Sequence, residues 1–200
     1  MKKKLDWRFL VIIALLYFVY HCKNNIEAVP QDPVIGLSID VQVSKEYLEV
    51  TPENWQEILK RFDFTLKASE KNQKIIEEMA IDPNRLVFIK EGNIEDNVTI
   101  INTTVPATNQ TLLILQDEME KKAEIMLKQG ITYERLNRGI SKFRGYNFIF
   151  IFCLLRVEEV PERYTYMYII EIPPYSYMIH VNSLDKATIK DAIVSITPKK

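Results

Sequence analysis

Several features that mark common classes of enzymes and nucleic-acid-binding proteins are missing from this sequence of 200 residues. It has five glycines and two cysteines, and it contains neither a GxGxxG nor a GxxxxGK[ST] phosphate loop. The two cysteines, Cys22 and Cys153, are far apart in the sequence and form neither a disulfide framework nor the closely spaced ligand pairs of a zinc cluster. The 26 basic residues nearly balance the 27 acidic ones, which gives no electrostatic basis for binding nucleic acid. The sequence therefore predicts no cofactor, no metal site and no nucleic-acid partner.

The first 22 residues have the pattern of an export signal or a membrane anchor. Three lysines and Arg8 form a cationic start, and Phe9 to Tyr20 then follow without a charged residue. A helix of that length spans about 18 Å, whereas a bilayer core needs about 20 residues. The run is therefore more typical of the apolar part of an export signal than of a full membrane span or a buried core helix.

Cys22 follows this run and is the candidate lipidation site. The segment from Val19 to Cys22 resembles a bacterial lipoprotein signal, in which the lipidated cysteine becomes the first residue of the mature protein. Tyr20 and His21 are larger than the small residues usual before that cysteine. Three alternatives stay open: lipidation at Cys22, an uncleaved anchor, and cleavage by an ordinary signal peptidase. Each places the rest of the chain outside the cytoplasm, and the lipoprotein-like start favours a bacterial periplasm or cell surface.

The remaining chain divides into a tether and one domain. Residues 23–33 are polar with two prolines, which is typical of a short extended spacer. Residues 34–200 are long enough for a single core. Periodicity and turn signals predict strands over Val34–Val43, Arg85–Glu91, Val98–Val105, Ile131–Leu136, Tyr146–Val157, Arg163–Ile172 and Tyr175–Ser183.

Helices are predicted between these strands. The first begins at Thr51-Pro52, with Thr51 as its N-cap. Further helices cover Ser69–Ala80, Thr111–Gln129, which Thr111 is expected to cap, and Leu184–Ile196. Turns are predicted over Glu91–Asn97, over Asn137–Gly139 and at Pro173-Pro174.

This order of elements resembles that of PsbP-like domains. The resemblance rests on the opening strand GLSIDVQV, on the long apolar strand GYNFIFIFCLL and on the closing stretch YTYMYIIEIPPYSYMIHVNSLDKATIKDAIVSI. It implies an α+β fold, an α/β/α sandwich in which helices cover both faces of a mainly antiparallel sheet. Because that family is mostly non-enzymatic and acts in assembling or stabilising membrane complexes, the resemblance also implies an accessory role.

A cluster of tyrosines is the candidate binding surface. Five of the ten tyrosines lie within a short stretch: Tyr164, Tyr166, Tyr168, Tyr175 and Tyr177. Alternation places the first three on one face of their strand. Two interpretations stay open, namely that a helix packs over these rings, or that the rings form a platform for a protein or glycan partner.

The residues that could support catalysis or a charged contact have simpler structural interpretations. His180 is the only histidine in residues 34–200, and a lone histidine on a strand is usually structural. Cys153 lies between Phe152 and Leu154, where a thiol behaves as a small hydrophobe. The acidic runs single out no acid–base pair. A basic cluster around the predicted turn fits either a solvated loop or anionic headgroups; it consists of Arg135, Arg138, Lys142 and Arg144.

The sequence predicts a membrane-anchored, extracytoplasmic binding or accessory module of the cell envelope, without catalytic residues. Its expected partners are the membrane, reached through the anchor or lipid, and an envelope protein or glycan. One alternative is a small extracytoplasmic enzyme, similar to a hydrolase, that uses His180 with nearby carboxylates. Another is a purely structural envelope protein.

Overall fold

A computed structural model gives the structure of the chain, and it describes residues 37–61, 82, 84–91, 93–128, 130–158, 161–187 and 192–199. The strands within these ranges are β1 (Ile39–Val43), β2 (Tyr47–Val50), β3 (Arg85–Lys90), β4 (Asn93–Thr103), β5 (Ile131–Phe143), β6 (Tyr146–Val157), β7 (Arg163–Ile172), β8 (Tyr175–Ser183) and β9 (Ile193–Pro198). The helices are α1 (Trp55–Arg61) and α2 (Asn109–Lys128).

The described strands form two antiparallel sheets. A seven-stranded sheet has the order β2-β3-β4-β8-β7-β6-β5, and β1 pairs with β9 in a separate two-stranded ribbon. All neighbours in the larger sheet are antiparallel. This confirms the prediction of an α+β fold with a mainly antiparallel sheet.

Different elements pack on the two faces of the larger sheet. On one face, Tyr133 of β5 lies against Met119, which belongs to the buried side of α2. On the other face, Ile39 and Ile196 of the ribbon join the core cluster that includes Ile100 and Ile179. The helix predicted over residues 69–80 lies outside the described residues, so a helical layer on both faces stays a prediction.

The prediction of a closing helix from Leu184 to Ile196 is wrong at its end, where the chain forms β9. Its apolar residues Ile193 and Ile196 are three positions apart, as on a helical face. In the ribbon, Val43 is opposite Ile193 while Gln42 is opposite Ser195, so the extra residue Val194 forms a bulge. A strand with one bulge changes an apolar spacing of two into three, and this imitates a helix.

The predicted turn at Asn137–Gly139 is also wrong, because β5 continues to Phe143. The pairing with β6 shifts register between Arg135 and Asn137, so a bulge occupies the place of the expected turn. The chain reverses instead at Arg144-Gly145, whose φ angles are 50° and 90°. Two consecutive positive φ angles between paired strands are the signature of a type I′ hairpin turn.

Smaller boundary errors have local causes. Strand β4 begins at Asn93, inside the predicted turn, because Lys90 and Asn93 are already paired. The hydroxyl of Thr108, and not that of Thr111, accepts the hydrogen bond that caps α2. The predicted cap of the first helix is confirmed, since the amide of Glu53 donates to the hydroxyl of Thr51 at 3.3 Å.

Candidate binding site

Six aromatic rings from two adjacent strands form a cluster on the ribbon-side face of the sheet. Alternation places three phenylalanines of β6 and three tyrosines of β7 on that face. The members of this aromatic cluster are Phe148, Phe150, Phe152, Tyr164, Tyr166 and Tyr168. The rings contact one another diagonally across the two strands, so that Tyr166 stacks on Phe150 with 5.6 Å between centroids. Such pairs add stability beyond the burial of their area and hold the rings in place.

A cavity of about 220 Å³ lies where the aromatic cluster meets the ribbon. Its lining residues are Phe143, Phe148, Tyr166, Tyr168, Ile170, Ile193 and Ile196. They come from β5, β6, β7 and β9, so the walls are formed by strands distant in the sequence. The ribbon therefore covers only part of this face, and one edge of the aromatic cluster stays next to open space.

Tyrosine hydroxyls are the polar groups that the described side chains bring to this cavity. Burial raises the pKa of Tyr166. Burial also raises the pKa of Tyr168, and the neighbouring Tyr166 adds to the effect. Both hydroxyls therefore stay protonated near neutral pH and can donate or accept a hydrogen bond, but they are poor general bases.

The other predicted tyrosines differ in accessibility. Tyr164 is half-buried, and its hydroxyl donates a hydrogen bond to Glu162 at 3.2 Å. Tyr175 is half-buried at the start of β8. Tyr177 is 1% exposed and belongs to the core, so it offers no accessible surface. The cavity thus uses two of the five tyrosines.

Five residues of the cavity were not predicted as site residues: Phe143, Phe148, Ile170, Ile193 and Ile196. Phe148 and Ile170 lie on strands that were predicted, and the other three lie where the prediction is wrong. Phe143 lies beyond the falsely predicted turn, and Ile193 and Ile196 were assigned to a helix. The sequence does contain a signal for Phe143: it is followed by Arg144-Gly145, and a glycine at the second position of a two-residue loop is typical of a β-hairpin. No local pattern indicates that β9 lines the same cavity as β7. The position of β9 depends on its pairing with β1, which comes from the other end of the domain.

His180 lies on the opposite face of the sheet from the cavity. It is 3% exposed, and burial, together with the positive charge of Arg85, lowers the pKa of His180 to about 4. The same face carries a buried hydrogen-bonded row in which Thr165 donates to Asn182 at 2.8 Å and Asn182 donates to Asn97 at 2.9 Å. The surroundings of His180 are those of a structural core.

The cysteines and the basic cluster have separate locations. Cys153 is 2% exposed, and burial raises the pKa of its thiol to about 12, which opposes formation of a reactive thiolate. Cys22 lies outside the described residues. Arg135 bonds to Glu120 at 2.6 Å, and Arg138, Lys142 and Arg144 extend the basic cluster along β5 to the hairpin tip.

The described residues offer neither a metal site nor a membrane-spanning helix. They contain no group of three or more histidine, cysteine or acidic side chains arranged to hold a metal ion. No helix within them combines the length and apolar character needed to cross a bilayer. The segment Phe9–Tyr20 lies outside the described part of the chain.

Comparison with known proteins gives matches among solved structures but none among protein-family models or curated proteins. Among solved structures, the chain is similar to the solution structure of cyanobacterial PsbP (CyanoP) from Synechocystis sp. PCC 6803. The TM-score is 0.48 at 10% sequence identity, and the match covers 85% of this chain and 98% of the other.

Proposed function

We propose that this protein is a membrane-anchored, extracytoplasmic accessory module, non-enzymatic, that binds a protein of the cell envelope. The observation that carries the proposal is the apolar cavity beside the aromatic cluster. One aromatic side chain of the partner binds in this cavity. The proposal includes a PsbP-like architecture for residues 34–200 and an anchor or lipid at the N-terminus.

The size of the cavity supports a side chain as its occupant. Pockets for drug-sized ligands hold about 300 to 1,000 Å³, and the 220 Å³ found here is below that range. An apolar cavity of about 150 Å³ is large enough for benzene. The space therefore fits one aromatic ring with its first linking atoms, which is the size of an anchor residue at a protein interface.

The chemistry of the walls also supports a protein partner over a glycan. Five of the seven lining residues are isoleucine or phenylalanine, and they have no polar side-chain atoms. A sugar in this cavity would leave most of its hydroxyls without hydrogen-bond partners, at a cost of about 1–3 kcal/mol for each one buried. An aromatic ring loses nothing of this kind and gains contact with Phe148 and Tyr166.

The location of His180 supports the non-enzymatic part of the proposal. A hydrolase-like mechanism needs a base within hydrogen-bond reach of a bound substrate. His180 is 3% exposed and faces away from the cavity across the sheet. Among the described lining side chains, a substrate would meet two hydroxyls, those of Tyr166 and Tyr168, and their raised pKa values keep them protonated and unable to act as a base.

Photocrosslinking in the native host tests the proposal. The full chain would carry benzoylphenylalanine in place of Phe143, a lining residue. We expect a discrete adduct with an envelope protein, attached at an aliphatic carbon of the aromatic anchor residue or of a residue next to it. The adduct should be lost when Ile193→Trp fills the cavity and should persist in Val194→Trp, because Val194 is 55% exposed at the bulge of the same strand.

Other outcomes contradict the proposal. Equal adducts in both tryptophan variants would mean that the partner binds elsewhere. A heterogeneous adduct that is removed by a glycosidase would identify a glycan as the ligand. An adduct with a cytoplasmic protein would contradict the extracytoplasmic location.

A further inference from the structure

We propose that the aromatic anchor of the partner has an acidic residue beside it, and that Arg144, which contacts Phe143 of the cavity wall, binds that carboxylate. This inference rests on the proposed function, because it names the chemistry of the side chain that enters the cavity. It predicts an aromatic-acidic pair as the recognised element.

The position of Arg144 is fixed by the hairpin that carries it. Arg144 and Gly145 form the two-residue turn between Phe143 of β5 and Tyr146 of β6. The guanidinium carbon of Arg144 lies 5.6 Å from the centroid of the Phe143 ring, which is itself part of the cavity wall. The cation–π contact therefore holds a positive charge next to one residue of the apolar cavity wall.

Arg144 lies in a basic segment of the described chain. The hairpin segment from Asn137 to Asn147 contains three basic residues and no acidic residue. Within the described part of the chain, no carboxylate forms an ion pair with Arg144. Arg135 of β5 differs from Arg144, because it forms an ion pair with Glu120 of α2 at 2.6 Å. An external carboxylate is thus the complement that Arg144 favours.

Arg138 provides a matched control on the same hairpin. It is exposed, and it is opposite Ile151, on the face of the sheet away from the aromatic cluster. Both arginines attract a carboxylate equally at long range because they carry the same charge. Of the two, Arg144 alone contacts the cavity wall. A local contact therefore predicts an effect for Arg144 and not for Arg138.

The substitution Arg144→Asn removes the charge and preserves the turn. Asparagine adopts positive φ more readily than arginine, and Asn-Gly is the preferred pair of a type I′ turn. The variant should therefore be at least as stable as the parent protein. Arg138→Asn removes the same charge from β5 of the same hairpin.

The test uses two peptides that differ by one group. One contains 4-fluorophenylalanine followed by glutamate, and the other has glutamine in place of that glutamate. Each is titrated against the full chain in phosphatidylcholine nanodiscs and followed by fluorine NMR, with empty nanodiscs as the blank. We expect the glutamate peptide to bind about two- to five-fold more tightly, as for an exposed ion pair. The difference should shrink as salt is added.

The variants decide between the outcomes. The preference should disappear in Arg144→Asn and remain in Arg138→Asn. Equal binding of the two peptides to the parent protein would overturn this inference and leave the proposed function intact. If neither peptide binds, both are overturned. Loss of the preference when phosphatidylglycerol is added to the nanodiscs would assign Arg144 to the membrane surface and would also overturn the inference.

Discussion

Residues on the two faces of the sheet differ in their access to solvent. Those at the cavity can affect ligand binding, whereas an enclosed residue affects only the stability of the fold. Tyr166 and Tyr168 line a cavity, so their hydroxyls can contact a ligand. His180 is enclosed, and its titration can act only on folding. Its effect should therefore appear in the pH dependence of unfolding and not in ligand binding.

We expect the free energy of unfolding to fall as the pH is lowered from about 7 to about 4.5. Burial lowers the pKa of His180 from its ordinary 6.5 to about 4 in the folded protein. The unfolded chain then binds the proton first, so stability that is complete above pH 6.5 is lost as the pH falls towards 4. The loss from this residue should be about 2 to 3 kcal/mol. Urea titrations across this range measure it.

His180→Gln is the control, because glutamine does not titrate in this range. The variant retains His21 and all carboxylates, so these groups contribute equally to both proteins. Its absolute stability is not the criterion, since the buried site changes. The criterion is the slope with pH, which should be shallower in the variant. Parallel slopes would contradict the lowered pKa of His180.

At the scale of elements, the sequence predicts strands well wherever a strand-forming run is uninterrupted. The predicted bounds of β6, β7 and β8 agree with the structure because each is an uninterrupted run rich in apolar, aromatic or β-branched residues with a clear turn signal at its ends. The bulges in β5 and β9 break the alternation, and both were misassigned. A bulge depends on the partner strand, so a single-sequence pattern does not contain it.

Gly139 lies in a strand although the sequence around it is typical of a turn, and packing explains why a glycine is found there. A β-carbon built on it would lie 3.1 Å from Cε1 and 3.2 Å from Cζ of Phe150. The ring of Phe150 covers the glycine backbone and stacks on Tyr166 at its other side. The absence of a side chain at Gly139 therefore gives the aromatic cluster its room at the edge of the sheet.

We expect Gly139→Val to lower the free energy of unfolding by about 1–3 kcal/mol, as overpacking does elsewhere. The added methyl groups displace the Phe150 ring, and the stacking on Tyr166 is lost with it. Ser141→Val is the control: Ser141 is exposed on the same face of β5, opposite Phe148. It should change stability by less than about 0.5 kcal/mol. Equal urea midpoints for the two variants would mean that the Phe150 ring moves aside without a loss in the free energy of unfolding, which contradicts the prediction.

At the scale of the whole molecule, the candidate site joins parts of the chain that no local signal connects. The aromatic rows of β6 and β7 are visible in the sequence as alternating rings, and this half of the site was predictable. The other half comes from β9, whose position depends on pairing with β1 at the opposite end of the domain. The cavity is therefore a consequence of topology as much as of composition.

The connection of this domain to a membrane stays a prediction of the sequence, and intact mass tests it. In protein purified from native membranes, we expect a chain that begins at Cys22 and carries added acyl mass. Cys22→Ala should lose both the processing and the acyl groups, because the thiol is the attachment atom. Cys153→Ala should retain them, since Cys153 is 2% exposed in the core.

The alternatives give different masses, so the experiment separates them. An unprocessed chain that begins at Met1 in both the parent protein and the Cys22→Ala variant would contradict lipidation and make Phe9–Tyr20 the anchor. A shorter chain without acyl mass would indicate ordinary cleavage and a domain released from the membrane. In that last case Arg144 and the cavity would meet their partner from solution, and association would then depend on the concentration of the free domain, without the raised local concentration that a tether provides.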